Sequence, residues 1–190
     1  DVCGLYLSPP QNALVLSVDE KTAVPARSRK HPTLASTRGR PERQEFEYRR
    51  HGTASFIAAL DIATGQVLAE PVDRNAAAHF IDFLADLDRH IDPTLRVHLV
   101  LDNGASHVAR ATKAWLDDRP RFVAHYTPVH ASWLNQVELF FSILTRRLLK
   151  RGEFGSRDEL ISRVTAFITD YDSTARPFRW TYDGTPLKVN

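Results

Sequence analysis

The sequence predicts an α/β fold, a mixed five-stranded sheet flanked by helices. Two features carry this expectation. Five short apolar runs have strand character, and several later segments repeat apolar side chains at three- to four-residue spacing, the signature of a helix with one buried face. Their order matters as well. Three early strands meander before helices and strands alternate, which fits a mixed sheet with helices packed against it.

The run 12–18 (NALVLSV) reads as a buried, central strand and ends at Asp19. Residues 25–51 are basic and carry Pro25, Pro32, Pro41 and Gly39, so a long irregular connection or insertion is expected there. Segments 53–62 and 67–72 form a hairpin around the turn 63–66. Asn75 is placed to cap a helix over 76–90, whose Phe80, Phe83, Leu84 and Leu87 share a face. Pro93 breaks that helix. The strand 95–101 (LRVHLVL) delivers Asp102, and a helix is expected from Ser106 or His107 to Leu116. A fifth strand, 122–126, closes at Pro128. Residues 133–149 read as one helix with a stripe of Trp133, Val137, Phe140, Phe141, Leu144 and Leu148. Ser156 caps a last helix over 157–172, with Glu159 at the capping-box position and Leu160, Ile161, Val164, Phe167 and Ile168 facing inward. The tail from Arg176 is irregular and aromatic.

A chain of 190 residues suits one domain with a substantial core. It contains no run of about 18 apolar residues, so no membrane-spanning helix is expected, and no secretory signal is visible. The single cysteine, Cys3, excludes an internal disulfide and any zinc site built on cysteines. The chain starts at Asp1 and holds no methionine, so a further segment is expected upstream. Residues 21–50 carry nine Lys/Arg against three acids, while the whole chain is only +2. A basic segment on a slightly acidic body suits a polyanionic partner, and a solvated loop explains the same composition.

Asp19 and Asp102 each end a very hydrophobic strand. Central strands ending on one side of a sheet bring such residues into the crevice where ligands bind. Carboxylates held at the boundary of the core are costly unless paired or bound to a cation. Hard divalent cations with oxygen ligands, Mg²⁺ or Mn²⁺, meet that need. Glu138 lies inside the stripe of the 133–149 helix, an unusual place for a charge, and can reach round toward the strand ends. A solvated acid is the competing reading for Glu138. Two close metal ions on such ligands can activate a water or a 3′-hydroxyl on one side of a phosphate and stabilise the leaving oxygen on the other.

At these residues the sequence resembles a known family. The blocks 17–22 (SVDEKT), 101–107 (LDNGASH) and 132–142 (SWLNQVELFFS) resemble the three catalytic motifs of DDE transposases. The branch they resemble most is that of bacterial insertion sequences in the mariner-like superfamily, the DDE superfamily endonucleases. Thirty-five residues lie between Asp102 and Glu138, close to that family's spacing. The segments 53–70 and 176–184 are also similar to the family, so the resemblance runs over nearly the whole chain. It implies an RNase H-like fold and an acidic triad of Asp19, Asp102 and Glu138 holding two Mg²⁺ ions. It further implies cleavage of transposon ends with strand transfer into target DNA, action as a homodimer on paired ends, and a cytoplasmic, nucleoid-associated setting in bacteria. The family's helix-turn-helix region, which reads transposon ends, is expected upstream of this chain.

Around the triad several residues are open to two readings. Asn103 either orients a metal-bound water or caps a turn; His107 either touches phosphate, moves a proton or caps a helix. Asn135 and Gln136, in the expected first helical turn, either cap it or favour a DNA phosphate. Trp133 either packs on the sheet or stacks on a base. Glu20 is expected on the opposite strand face from Asp19, paired with Lys21 or an arginine. Arg146, Arg147, Lys150 and Arg151 form a basic face beyond Glu138, either a DNA backbone track or a solvated helix end. Arg27, Arg29 and Lys30 in the basic segment are candidate DNA contacts too. Two other functions compete: a ribonuclease H or junction-resolving nuclease on the same fold, and a non-catalytic, transposase-derived DNA-binding module.

Overall fold

The computed structural model describes residues 2–31, 36–41 and 47–185. Five strands form one sheet in the order β3-β2-β1-β4-β5: β1 Ala13–Arg29, β2 Tyr48–Asp61, β3 Val67–Val72, β4 Arg96–Leu101 and β5 Phe122–Tyr126. The first strand is central, as its apolar run implies. It pairs antiparallel with β2 and parallel with β4, and β5 extends the parallel half.

Side chains alternate across a strand, so β1 feeds two separate cores. Leu16 and Val18 join Phe80, Phe83 and Leu84 of α2 (Ala77–His90) and Leu116 of α3 (Arg110–Asp117) on one face. Val15 joins the opposite core, built by α1 (Val2–Leu7), α4 (Val137–Leu144) and α5 (Arg157–Ser173). No described helix is long and apolar enough to cross a membrane.

Several boundaries differ from the sequence expectation. The irregular connection expected over 25–51 begins and ends as strand: β1 runs to Arg29 and β2 starts at Tyr48, paired as Pro25↔Thr53, Arg27↔Arg50 and Arg29↔Tyr48. Its parts at 32–35 and 42–46 lie outside the described residues. Pro25 is tolerated because β4 pairs with β1 only as far as Ser17, so one side of the outer strand needs no donor. Register shifts between Lys21 and Val24 and between Pro25 and Arg27 absorb the irregularity.

Asn75 does not cap α2. Ala76 is the cap residue, in an extended conformation without a side-chain bond. Residues 104–108 form a turn rather than a helix start, with Gly104 O accepting from both His107 N and Val108 N. The helix expected over 133–149 is broken. Ser132–Leu134 is a 3₁₀ turn, Asn135 leaves helical geometry at ψ 102°, α4 follows, and Thr145–Leu149 widens into a π turn. The stripe survives in its central part, where Val137, Phe140, Phe141 and Leu144 are buried. The α5 capping box forms as read: Ser156 Oγ accepts from Glu159 N at 3.0 Å, and the Glu159 carboxylate accepts from Gly155 N at 2.7 Å.

Candidate catalytic site

The parallel pairing of β1 with β4 sets the geometry. Ser17 lies opposite Val100, so Asp19 and Asp102, each two residues further on, fall level with one another at the ends of adjacent strands. Asp19 is 7% exposed. Its Oδ1 accepts from Glu20 N at 2.7 Å, and its Oδ2 is 3.5 Å from Asn135 Nδ2. Burial, then the charge of Asp102, push its pKa up to about 7. Asp102 is less buried, and the hydrogen bond from His107 holds its pKa below the usual carboxylate value.

On the opposite face of β1, His107 is fully buried between two carboxylates. Its Nδ1 is 2.7 Å from Asp102 Oδ1, and its Nε2 is 2.9 Å from Glu20 Oε2. Ser106 Oγ donates to Glu20 Oε1 at 2.6 Å. Burial opposes a charge on His107, but the two carboxylates outweigh it and hold the pKa at about 10, so the ring is an imidazolium with both N–H groups facing acids. Gly104 N also donates to Asp102 Oδ1, at 2.7 Å. A Cβ at Gly104 would stand 2.9 Å from that same oxygen, so a larger residue there would push the Asp102 carboxylate aside.

The start of α4 is tied to the same strand. Asn135 is fully buried, accepts from Ser17 Oγ, and donates to Val18 O at 2.9 Å. Ser17 Oγ in turn accepts from Val137 N at 2.8 Å. Asn135 O accepts from Glu138 N at 3.1 Å, so Glu138 begins one residue from a backbone pinned to β1. Its side chain is exposed in the first turn of α4.

The model of the DDE superfamily endonucleases matches residues 15–161. The chain belongs to this family. It is 29% identical over 123 residues to the "Insertion element IS630 uncharacterized 39 kDa protein" of Shigella sonnei, covering 65% of this chain and 35% of that relative. In fold it is similar to the Mos1 transposase in a paired-end complex with left transposon end, with a TM-score of 0.65 and 18% identity over 93% of this chain and 52% of that one. The Mos1 catalytic domain with Raltegravir and Mg is similar at a TM-score of 0.58 and 16% identity, covering 93% of this chain and 78% of that one. The RNase H-like expectation therefore holds. The chain spans 35% of the Shigella relative's length.

Within this DDE domain the structure brings Asp19 and Asp102 together and sets Glu138 on the adjoining helix start. The donors fit a hard divalent cation. Asp19 is a buried carboxylate beside a second negative charge, and no described Lys or Arg forms a salt bridge with it. Asp19, Glu20 and His107 also present ligand atoms within 4.8 Å of one another, and Glu138 is outside that group. His107 Nδ1 is engaged by Asp102 and its Nε2 lies 2.9 Å from Glu20 Oε2, so the ring would have to give up its proton and one of these carboxylates to serve as a ligand there.

The neighbours sort differently from their sequence readings. His107 and Asn135 are fully buried and not presented at the surface; their bonds go to Asp102 and Glu20 and to Ser17 and Val18. The amides at the start of α4 are not free for an anion, since Ser17, Asn135 and Gln136 already accept from residues 137–139. Asn103 Nδ2 donates to Thr127 O at 2.8 Å, a brace between the ends of β4 and β5. Glu20 does take the opposite strand face, but its partners are His107 and Ser106, not Lys21 or an arginine. Trp133 is exposed and lies against Trp180 and Tyr182 rather than on the sheet. Arg29 pairs with Glu153 at 3.4 Å and Lys30 with Glu47 at 2.6 Å, while Arg27 lies over the Tyr48 ring. Arg146, Arg147, Lys150 and Arg151 are exposed, as a backbone track requires. Sequence reasoning missed Ser17, whose signal was a lone hydroxyl inside an apolar strand.

Proposed function

We propose that this chain is the catalytic domain of a bacterial DNA transposase, in which Asp19, Asp102 and Glu138 hold two Mg²⁺ or Mn²⁺ ions. It cleaves phosphodiester bonds at the ends of a mobile element and joins the 3′-hydroxyl ends to target DNA, acting as a homodimer on paired ends at the nucleoid. The observation that carries the reading is the level placement of Asp19 and Asp102 on adjacent parallel strands, with the Asp19 carboxylate buried beside the Asp102 charge and in no ion pair of its own.

Bound cations would supply an activated oxygen nucleophile and neutralise the leaving oxygen. The chain's own residues provide position. Asp19 is fixed by Glu20 N and Asn135; Asp102 is fixed by Gly104 N and His107, which leaves its Oδ2 directed away from those two donors. Glu138, at the solvent edge of α4, closes the site from the helix side. The decisive experiment is calorimetric titration with Mn²⁺ together with nicking of supercoiled DNA. The native chain binds Mn²⁺ and nicks; Asp102→Asn loses both. Equal Mn²⁺ affinity in Asp102→Asn overturns the assignment.

A further inference from the structure

Beside the acidic site lies a cavity of about 330 Å³ whose wall carries Lys21, Arg27 and Lys150, together with Ala23, Thr145 and Leu149. It sits between the outer half of β1 and the π turn that follows α4. Three features give it a character of its own. First, its cations are unspent. Among the described residues none of the three forms a salt bridge; Lys21 Nζ stands 5.4 Å from the centre of the Phe141 ring and Arg27 stacks on Tyr48. Other basic groups of the same hairpin, Arg29 and Lys30, are neutralised by Glu153 and Glu47. Second, the cavity is opened by the backbone. The register shift between Lys21 and Val24, with Ala23 at φ 52°, lifts β1 away from regular pairing at this point. Third, Lys21 is two residues from Asp19 and so projects from the same face of β1, about 7 Å further along the strand.

We propose that this cavity binds a backbone phosphate of the DNA strand next to the one being cut, with Lys21, Arg27 and Lys150 as its ligands. A strand whose scissile phosphate lies over Asp19 and Asp102 brings a neighbouring phosphate over Lys21, since phosphates follow one another every ~3.4 Å of helix axis along each strand. The cations thereby fix the register of the strand on the carboxylates without reading sequence. The inference rests on the transposase reading for the identity of the DNA, and its test separates the two.

Binding of a labelled random-sequence duplex is measured by fluorescence anisotropy in EDTA over a range of salt concentrations. Lys21→Gln, Arg27→Gln and Lys150→Gln each keep an uncharged side chain of some length. Each variant is expected to weaken binding several-fold and to reduce the log–log salt slope by about 0.9, the triple variant by about three times that. Lys113→Gln, on exposed α3, serves as the control and leaves the slope in place. A triple variant with the parent's slope overturns the proposal. Inorganic phosphate competing at micromolar concentration also overturns it, because the cavity would then be a site for a free anion. Mn²⁺ titration of the parent chain is run alongside: failure to bind Mn²⁺ sinks the catalytic reading, whereas an unchanged salt slope sinks only the phosphate cavity.

Discussion

The two faces of β1 at its central end solve one electrostatic problem in opposite ways. On the α3 face, Glu20 is almost wholly buried and balanced by His107, whose other nitrogen holds Asp102. On the α4 face, Asp19 is also buried, one residue away, yet its bonded neighbours are an amide and a backbone N–H, with the Asp102 carboxylate close by, and the His107 charge reaches it only without an ion pair. The first arrangement is complete within the protein. The second keeps an excess of negative charge, since one imidazolium faces the three carboxylates of Asp19, Glu20 and Asp102, and that excess is costly unless a cation arrives. His107 pairs directly with Glu20 and Asp102 but not with Asp19, so Glu20 is a support while Asp19 is left to other ligands.

The strongest way to break the comparison is to remove the supporting cation. His107→Ala leaves Glu20 buried and unpaired, which is expected to cost about 3–5 kcal/mol in urea unfolding. Because Asp102 also loses its orienting donor, Mn²⁺ affinity is expected to fall by roughly 10–100-fold. A His107→Ala protein as stable as the parent would show that the α3 face is not held by this ion cluster.

Asp19→Asn acts in the other direction. With the buried charge gone, the metal-free protein is expected to gain on the order of a few kcal/mol at pH 8, while losing the stabilisation by Mn²⁺ that the parent shows. Thermal unfolding with and without Mn²⁺ reads both effects. A destabilised metal-free Asp19→Asn would mean that this carboxylate is structural, like Glu20.

The same two groups set the pH dependence of the metal-free chain. His107 rises from 6.5 to about 10 on folding, so its contribution is complete below pH 6.5 and is lost as pH climbs through 10. Asp19 rises from 3.8 to about 7, so the folded state binds the extra proton and stability falls from pH 4 to 7 before levelling. Between pH 7 and 10 only the His107 contribution of these two remains, and unfolding free energy is expected to decline across that range. His107→Gln should flatten the decline; an unaltered slope in that variant would assign it to other groups.

Local sequence pattern already specified the five strand segments and their succession along the chain, the amphipathic helices over 76–90 and 157–172, and the residues that end β1 and β4. These follow from local periodicity, which a chain carries whatever it later packs against. The α5 cap was legible for the same reason, because Ser156 and Glu159 need only each other and the first helical turn. The tertiary structure alone decided which polar groups meet. Ser106 finds Glu20 across 86 residues and Ser17 finds Asn135 across 118, separations for which spacing gives no signal. Asn135 broke an expected helix because its side chain is spent on β1, and β1 ran past Pro25 because β2 follows it on one side while the other needs no donor. The chemistry lay in residue types visible along the chain; their division into support and site arose only when the sheet placed Asp19, Glu20 and Asp102 at its end and set His107 in ion pairs with Glu20 and Asp102 but not with Asp19.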